Sequence, residues 1–395
     1  MKKILFVDTG REYGGGTKSF LYLLRGLAAQ QKYELCAFFE TDYESGGRNI
    51  SQIIEEVGAE FIKSEPKKQP SKLKKELLRA LGGQILAKYL YKKDYDYALF
   101  LLRQAQPDIL HLNNHFSTNL AYIAAANALN IAVVQHLRKN SPIETFKLEI
   151  LKRLKFTPVC VSNATYEFYA AQIKMPKNVV YNPVKAPVLW REKSEASENL
   201  SPLQTNLKDS SDDKSTALKA KFDAKKINIV MPANFLTLKG HELVFDALAG
   251  LKRSDVKVYF AGGGELKAGA KAKFDALIKS GKAEYLGFVS KMDEIYAACD
   301  YVLGFSSDEG LPRVVIEALG CGLGVVYSDI AVIREIYEIS SKKQDFFIVQ
   351  RSSNALLACF ESLRKPASKS PDDAVIKAFS IENYLRGIDR IYSEL

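Results

Sequence analysis

The chain has 395 residues, 47% of them hydrophobic and 26% charged, with a formal net charge of +10. That length exceeds one ordinary core and suits two domains of about 150–200 residues, and the composition excludes a disordered or fibrous chain. Five scattered cysteines without CxxC or Cys/His ligand spacing argue against a disulfide framework, and no apolar run approaches the roughly 20 residues of a spanning helix.

From the start, strand-like runs alternate with helical patterns. Lys3–Asp8 is a short apolar run ending in a polar residue, and a glycine-rich turn follows it. A helix is predicted over Thr17–Gln30, a strand over Tyr33–Phe39, and later strands over Ile109–Leu112 and Ile131–Val134. Thr118–Leu129 lies between the last two as a helix and completes a βαβ unit. Strands alternating with helices imply a parallel sheet covered on both faces.

Ten Lys/Arg against two Glu lie between Lys63 and Lys93, interleaved with Leu73, Leu77, Leu78, Leu81, Ile85, Leu86, Tyr89 and Leu90. This stretch reads as a basic amphipathic helix or helix pair, either with a solvated charged face or with a face for anionic lipid. No nucleic-acid motif accompanies the charge, so nucleic acid is not expected as a partner. The early lysines of Met1–Asp8 exclude a secretory signal, and the expected location is the cytoplasm, with peripheral contact to the inner membrane face.

From Trp190 to Lys226 the chain is polar and reads as a linker or surface insertion. A second strand-first pattern opens after it. Strands are predicted at Ile227–Met231, Val256–Phe260, Ala283–Leu286, Tyr301–Phe305 and Gly324–Tyr327, with a helix over His241–Leu251 and a last one over Ser380–Leu395. The implied domains are 1–187, a linker or insertion at 188–226, a second domain at 227–378, and a C-terminal helix at 379–395 able to pack back on the first domain.

The richest segment is Ser306-Ser-Asp-Glu-Gly-Leu-Pro-Arg-Val-Val-Ile-Glu-Ala-Leu-Gly-Cys-Gly322. A buried strand runs into a polar turn, and Pro312 can open a helix whose free N–H groups stabilise phosphate at the carboxyl edge of a parallel sheet. Glu309 and Glu317, eight apart, are acceptors suited to paired sugar hydroxyls, or else a capping acid and a solvated helix residue.

Glu309-x7-Glu317, with Gly-Leu-Pro between, resembles the signature of retaining GT-B glycosyltransferases of glycosyltransferase family 4 (group 1). Further segments resemble that family in its order: Gly14-Gly-Gly-Thr-Lys18, Val134-Gln-His-Leu-Arg138, Val159–Asn163, Val180–Val184, Lys239-Gly240, Ala261-Gly-Gly-Gly-Glu265, Leu286–Val289 and Ser328-Asp329 with Glu335. The resemblance implies two Rossmann-like domains facing across a cleft, an α/β GT-B fold. It also implies transfer of a sugar from a nucleotide-diphosphate donor, a UDP-sugar being favoured, to a glycan or lipid-linked acceptor, with no other cofactor and no metal.

The same resemblance implies the site residues. Lys239 would neutralise the diphosphate, and the N–H groups around Gly310, Leu311, Pro312 and Arg313 would assist. Glu317 would take the ribose and Glu309 the transferred sugar. Gly14, Gly15 and Gly16 would let backbone approach the donor, with Gly263 in the glycine turn. His136 would orient the sugar from the first domain, with Arg138 on the acceptor side. From their place at the end of a strand, His111 and His115 take a structural or acceptor-side role. Asn234 stands where the family commonly has a second arginine clamp, and Arg313 is the candidate to replace that charge. A nucleotide-sugar epimerase and a non-catalytic sugar-nucleotide-binding subunit are the alternatives.

Other motifs do not carry chemistry. The four histidines lack HExxH spacing, Asp94-Tyr-Asp96 reads as a surface pair, Gly262-Gly-Gly264 lacks GxGxxG spacing, and no GxSxG elbow occurs.

Overall fold

The computed structural model describes residues 1–10, 14–45, 47–65, 67, 70–184, 222–289, 291–366 and 368–395. The polar stretch read as a linker falls largely on 185–221, outside the described residues. Two compact units result: Met1–Pro183 together with Ile381–Leu395, and Val184–Ser380.

In chain order the first unit holds β1 (Lys3–Asp8), α1 (Gly15–Gln30), β2 (Glu34–Phe39), a small β3 (Glu44–Ser45) and β4 (Arg48–Asn49) pair, α2 (Ile50–Glu56) and β5 (Glu60–Phe61). Then come α3 (Lys72–Ala80), α4 (Gly83–Ala105), β6 (Ile109–Leu112), α5 (Phe116–Ala128), β7 (Ala132–Leu137), α6 (Thr145–Leu151), β8 (Thr157–Cys160) and α7 (Asn163–Ala170). The six-stranded sheet has the order β5-β2-β1-β6-β7-β8, parallel throughout.

Period-two alternation divides each strand between two cores. Leu5 and Val7 face one core with Leu110 and Leu112, while Ile4 and Phe6 face the other. Each fully buried aliphatic side chain in these cores contributes about 1.5–3 kcal/mol. The edge strand β8 contains Pro158, which removes a ladder donor and is tolerated at a sheet edge.

The second unit runs β9 (Ile227–Pro232), α8 (His241–Gly250), β10 (Val256–Ala261), α9 (Ala268–Lys279), β11 (Ala283–Gly287), α10 (Met292–Ala298) and β12 (Tyr301–Gly304). It continues with α11 (Arg313–Gly320), β13 (Gly324–Ser328), α12 (Ala331–Ile339), β14 (Phe346–Val349), α13 (Ser353–Ser362) and α14 (Asp373–Ala378). Its parallel sheet has the order β11-β10-β9-β12-β13-β14. Both units are therefore Rossmann-like, and in each the loops that follow the strands gather at one edge.

The last helix, α15 (Ile381–Ser393), belongs to the first unit. It buries Tyr384, Ile388, Ile391 and Tyr392. Gly26 of α1 admits Leu385, since a Cβ there would come within 2.5 Å of its methyl carbons.

The basic stretch forms two helices. Leu81 and Gly82 separate them, and the φ of +132° at Gly82 breaks the α3–α4 run. α3 has no buried residue, whereas α4 buries Ala98, Leu101, Leu102 and Ala105 in its last turns. Asp94 and Asp96 lie on α4 and pair with Lys67 and Lys92, a surface arrangement. Among the described residues no helix is long and apolar enough to cross a membrane.

Candidate active site

In the second unit the chain leaves β9 through Ala233–Lys239 and enters α8 at Gly240. Gly240 has φ +73°, and a Cβ there would sit 2.3 Å from the Phe305 carbonyl oxygen, so no other residue fits. This close approach brings the loop after β9 against the loop after β12. Lys239 Nζ pairs with Glu309 Oε1, and Glu309 also accepts a hydrogen bond from Ser306 Oγ at 2.8 Å. Tyr327 OH lies 3.5 Å from the same oxygen. Its ring crosses over Gly304, where a Cβ would be only 2.0 Å from Tyr327 Cε2.

Pro312 is the N-cap of α11, and Gly310, Leu311 and Pro312 are buried. Glu317 lies on the second turn, where Tyr296 OH approaches its carboxylate at 3.5 Å. Arg313, the candidate second cation, has Nη2 3.5 Å from Glu317 Oε1 along its own helix. Asn234 is committed elsewhere: its Oδ1 accepts the Gly263 N–H at 2.9 Å. It joins the loop after β9 to the glycine turn after β10, a structural task that a sequence comparison does not reveal. Gly262 is confined too, since a Cβ would reach the Ala233 carbonyl at 2.3 Å.

In the first unit a buried polar network lies between β1, β6 and β7. Asp8 accepts from Gly10 N at 2.7 Å, Asn114 Nδ2 at 2.8 Å and Asn113 Nδ2 at 2.7 Å. Arg138 donates through Nε to Asn113, through Nη1 to Asn182 and through Nη2 to Tyr384 OH. Asn113 thus lies between the buried guanidinium and the Asp8 carboxylate. Gly16 packs against Arg138, where a Cβ would lie 3.4 Å from Cδ; Gly14 is the N-cap of α1, and Gly15 its first residue.

His136 Nδ1 is 3.3 Å from both Arg138 Nη2 and His111 Nε2. An arginine can only donate, so Nδ1 is the acceptor and the proton of neutral His136 sits on Nε2. His111 then donates from Nε2, and its Nδ1 accepts from Tyr392 OH at 2.6 Å. Every donor in this chain points toward His136. Among the described residues His136 Nε2 has no partner. Burial, then Arg138 and His111, holds the His136 pKa well below the usual histidine range. His111 is fully buried, as His136 is, and stacks on Phe6 at 5.1 Å. His115, four residues on, is the N-cap of α5, and its pKa is pushed down to about 4 by burial and then by Lys139 and Lys147.

The sequence-derived residues therefore gather into Lys239 with Glu309, Arg313 with Glu317, Asn234 with Gly263, and Arg138 with His136, His111 and Gly16. Tyr327, Ser306, Tyr296, Asn113, Asn182, Tyr384 and Tyr392 complete these sets. Ser306 and Asn182 lie in segments singled out in the sequence; the five others carry no motif, because each acts through a contact distant in sequence. A cavity of about 470 Å³ also opens at the carboxyl ends of β2 and β5, lined among others by Phe39, Glu40, Phe61, Lys63, Lys67 and Tyr97. Among the described residues no group of His, Cys, Asp and Glu is placed to hold a metal ion.

Residues 213–372 match the family model for glycosyl transferases group 1. Among curated proteins no sequence matches the chain. Solved structures resemble it over its whole length. The Anabaena protein Alr3699/HepE in complex with UDP and glucose is 18% identical, with all of both chains covered and a TM-score of 0.67. A glycosyltransferase from Rickettsia africae is 17% identical, covering 100% of this chain and 98% of its own, at a TM-score of 0.71. The lipopolysaccharide outer core galactosyltransferase WaaB in its apo form is 14% identical over the full length of both chains, at 0.66. At these identities the likeness is one of fold: the two Rossmann-like units make a GT-B fold.

Proposed function

We propose that the chain transfers a glycosyl group from a nucleotide-diphosphate sugar, a UDP-sugar being favoured, to a glycan acceptor with retention of anomeric configuration. The observation that carries this reading is the Lys239–Glu309 pair at the carboxyl edge of the second sheet, beside the N-terminus of α11. In this structure the two charges satisfy each other. With donor bound, Lys239 turns to the diphosphate and Glu309 to hydroxyls of the transferred sugar. The N–H groups of the α11 first turn then face negative charge as the C1–O bond breaks and the nucleoside diphosphate leaves. Glu317 accepts the ribose hydroxyls. With Nδ1 taken by two donors and its proton on Nε2, neutral His136 is not built to act as a base.

A thermal-shift panel of UDP-, GDP- and ADP-sugars, repeated with Glu317→Ala, tests the reading. Stabilisation by one nucleotide class that the substitution abolishes is the expected result. No shift with any donor at about 100 times a micromolar Kd, where about 2.7 kcal/mol is expected, would overturn it. The Asn234–Gly263 bond favours a second reading, a non-catalytic subunit that binds sugar nucleotides. That reading predicts the same shift without turnover on any acceptor.

On the acceptor side we assign the cavity beside β2 and β5, whose aromatic walls and paired charges suit a saccharide. The acceptor is lipid-linked or of lipopolysaccharide type, a reading supported by α3. Leu73, Leu77 and Leu81 are 78%, 62% and 62% exposed and recur every fourth residue, with Lys74, Lys75 and Arg79 between them and Lys72 just before. Such a helix docks on anionic membrane by burying its apolar stripe while the lysines meet headgroups. Changing Leu73, Leu77 and Leu81 to Ser is expected to lower binding to phosphatidylglycerol-containing vesicles by about a hundredfold or more, each side chain contributing about 1 kcal/mol or more. Equal sedimentation of both proteins would remove the membrane from this account.

A further inference from the structure

We infer that Arg351, at the end of β14, is the cation that holds the donor diphosphate together with Lys239. The inference rests on the donor reading of the same site and adds a residue to it.

Charge is the starting point. Lys239 is matched by Glu309 and Arg313 by Glu317, so these four side chains sum to zero before any ligand arrives. Asn234 adds no charge, and its Oδ1 is spent on the Gly263 N–H. A diphosphate brought to such a surface meets a neutral site, and Glu309 must give up Lys239 to receive it. A cation without a carboxylate partner is needed to offset the ligand.

Arg351 fits that need. It is the second residue after β14, at the same sheet edge as the loops after β9 and β12. Its Nε donates to the Phe305 carbonyl at 3.2 Å, next to Ser306, which bonds Glu309. Its Nη2 lies 3.3 Å from the position a Cβ on Gly240 would take, next to Lys239. The guanidinium therefore sits where the two loops bearing Lys239 and Glu309 meet. The residue is exposed, and among the described residues no acidic side chain pairs with it. Among the described residues only its Nε–H meets an acceptor, which leaves the planar fork open for phosphate oxygens.

A purely mechanical role is the rival explanation, because the Nε bond also ties β14 to the loop after β12. Substitution separates charge from tie. Calorimetric titrations of the full chain with UDP and with uridine would be run on wild type, Arg351→Gln, Arg351→Lys and Lys239→Ala, with the melting temperature of each ligand-free protein as a folding control. Arg351→Gln is expected to weaken UDP binding by about tenfold or more while leaving uridine unchanged. Arg351→Lys keeps the charge but loses the fork that meets the phosphate oxygens, so its UDP affinity should fall between those of wild type and the Gln variant. Equal UDP affinity of Arg351→Gln and wild type overturns the inference, as does a Lys variant as weak as the Gln variant. In both cases a loss in Lys239→Ala would leave the donor reading standing. A wild type that binds neither UDP nor uridine would overturn this inference, and the UDP preference of the donor reading with it.

Discussion

Lys239→Ala is expected to lower the rate of sugar transfer by about 10²–10³-fold, the cost typical of removing one preorganised charge from a developing anion. The argument follows from what Lys239 touches. Its ammonium faces Glu309 at the mouth of the α11 helix, and both side chains are mostly buried, at 25% and 16% exposed. Water screens the pair less there than at an open surface. The fold should survive, because Glu309 keeps the Ser306 hydroxyl and the nearby Tyr327 hydroxyl as donors once the lysine is gone. The effect should fall on turnover and on diphosphate affinity, with little change in melting temperature. Glu309→Gln gives the complementary test, since its amide oxygen can still accept from Ser306 while the charge is lost. If the two residues act on one ligand, the double variant should lose far less than the product of the single losses. Strict additivity, or a loss below about threefold for Lys239→Ala, would remove the pair from the reaction.

The parts of this site that could be read in the chain are those that obey local rules. β6 falls at Ile109–Leu112, its predicted span, and the strand preceding Ser306 and the helix after Pro312 stand in the predicted order. Apolar runs bounded by glycine and polar turns define such elements with little help from tertiary contacts. β5 was not legible because two residues carry no periodicity, and β8 because Pro158 argues against a strand except at an edge. Helix α4 runs on to Ala105, well past the lysine-rich stretch, since its final turns are fixed by packing on α5. The side-chain partners were the least legible. Asn234 is bonded to a glycine 29 residues away, and Tyr392 reaches His111 across 281 positions. Arg351 carries no motif, and its place beside Gly240 follows only from the sheet order that sets the end of β14 near that of β12.

Acidification should destabilise the chain well before its carboxylates titrate, and the first unit should fail first. All four histidines have pKa values lowered by burial, His111 and His136 well below the usual range and His115 and His241 to about 4. Below the unfolded value of about 6.5 the unfolded chain takes up protons that the folded chain refuses, so stability falls as pH falls. The loss from His115 and His241 continues until about pH 4, where the folded forms also protonate. By about pH 4.5 each of these two should have removed roughly 2–3 kcal/mol, at about 1.4 kcal/mol per pH unit. His111, His115 and His136 lie in the first unit and only His241 in the second. Pulsed hydrogen exchange after a drop from about pH 7.5 to about 4.5 should therefore show protection lost earlier in β1, β6 and β7 than in β9 and β12. His241 sits among Phe235, Phe245 and Phe260, so His241→Leu keeps an apolar side chain in that aromatic slot and removes one proton acceptor. That variant should take up about one proton fewer on acid unfolding, with the change confined to the second unit. Unchanged proton uptake would show that His241 is not the group held neutral in the folded state. Earlier failure of the second unit would mean that carboxylate pairs, rather than buried imidazoles, govern the acid limit of this fold.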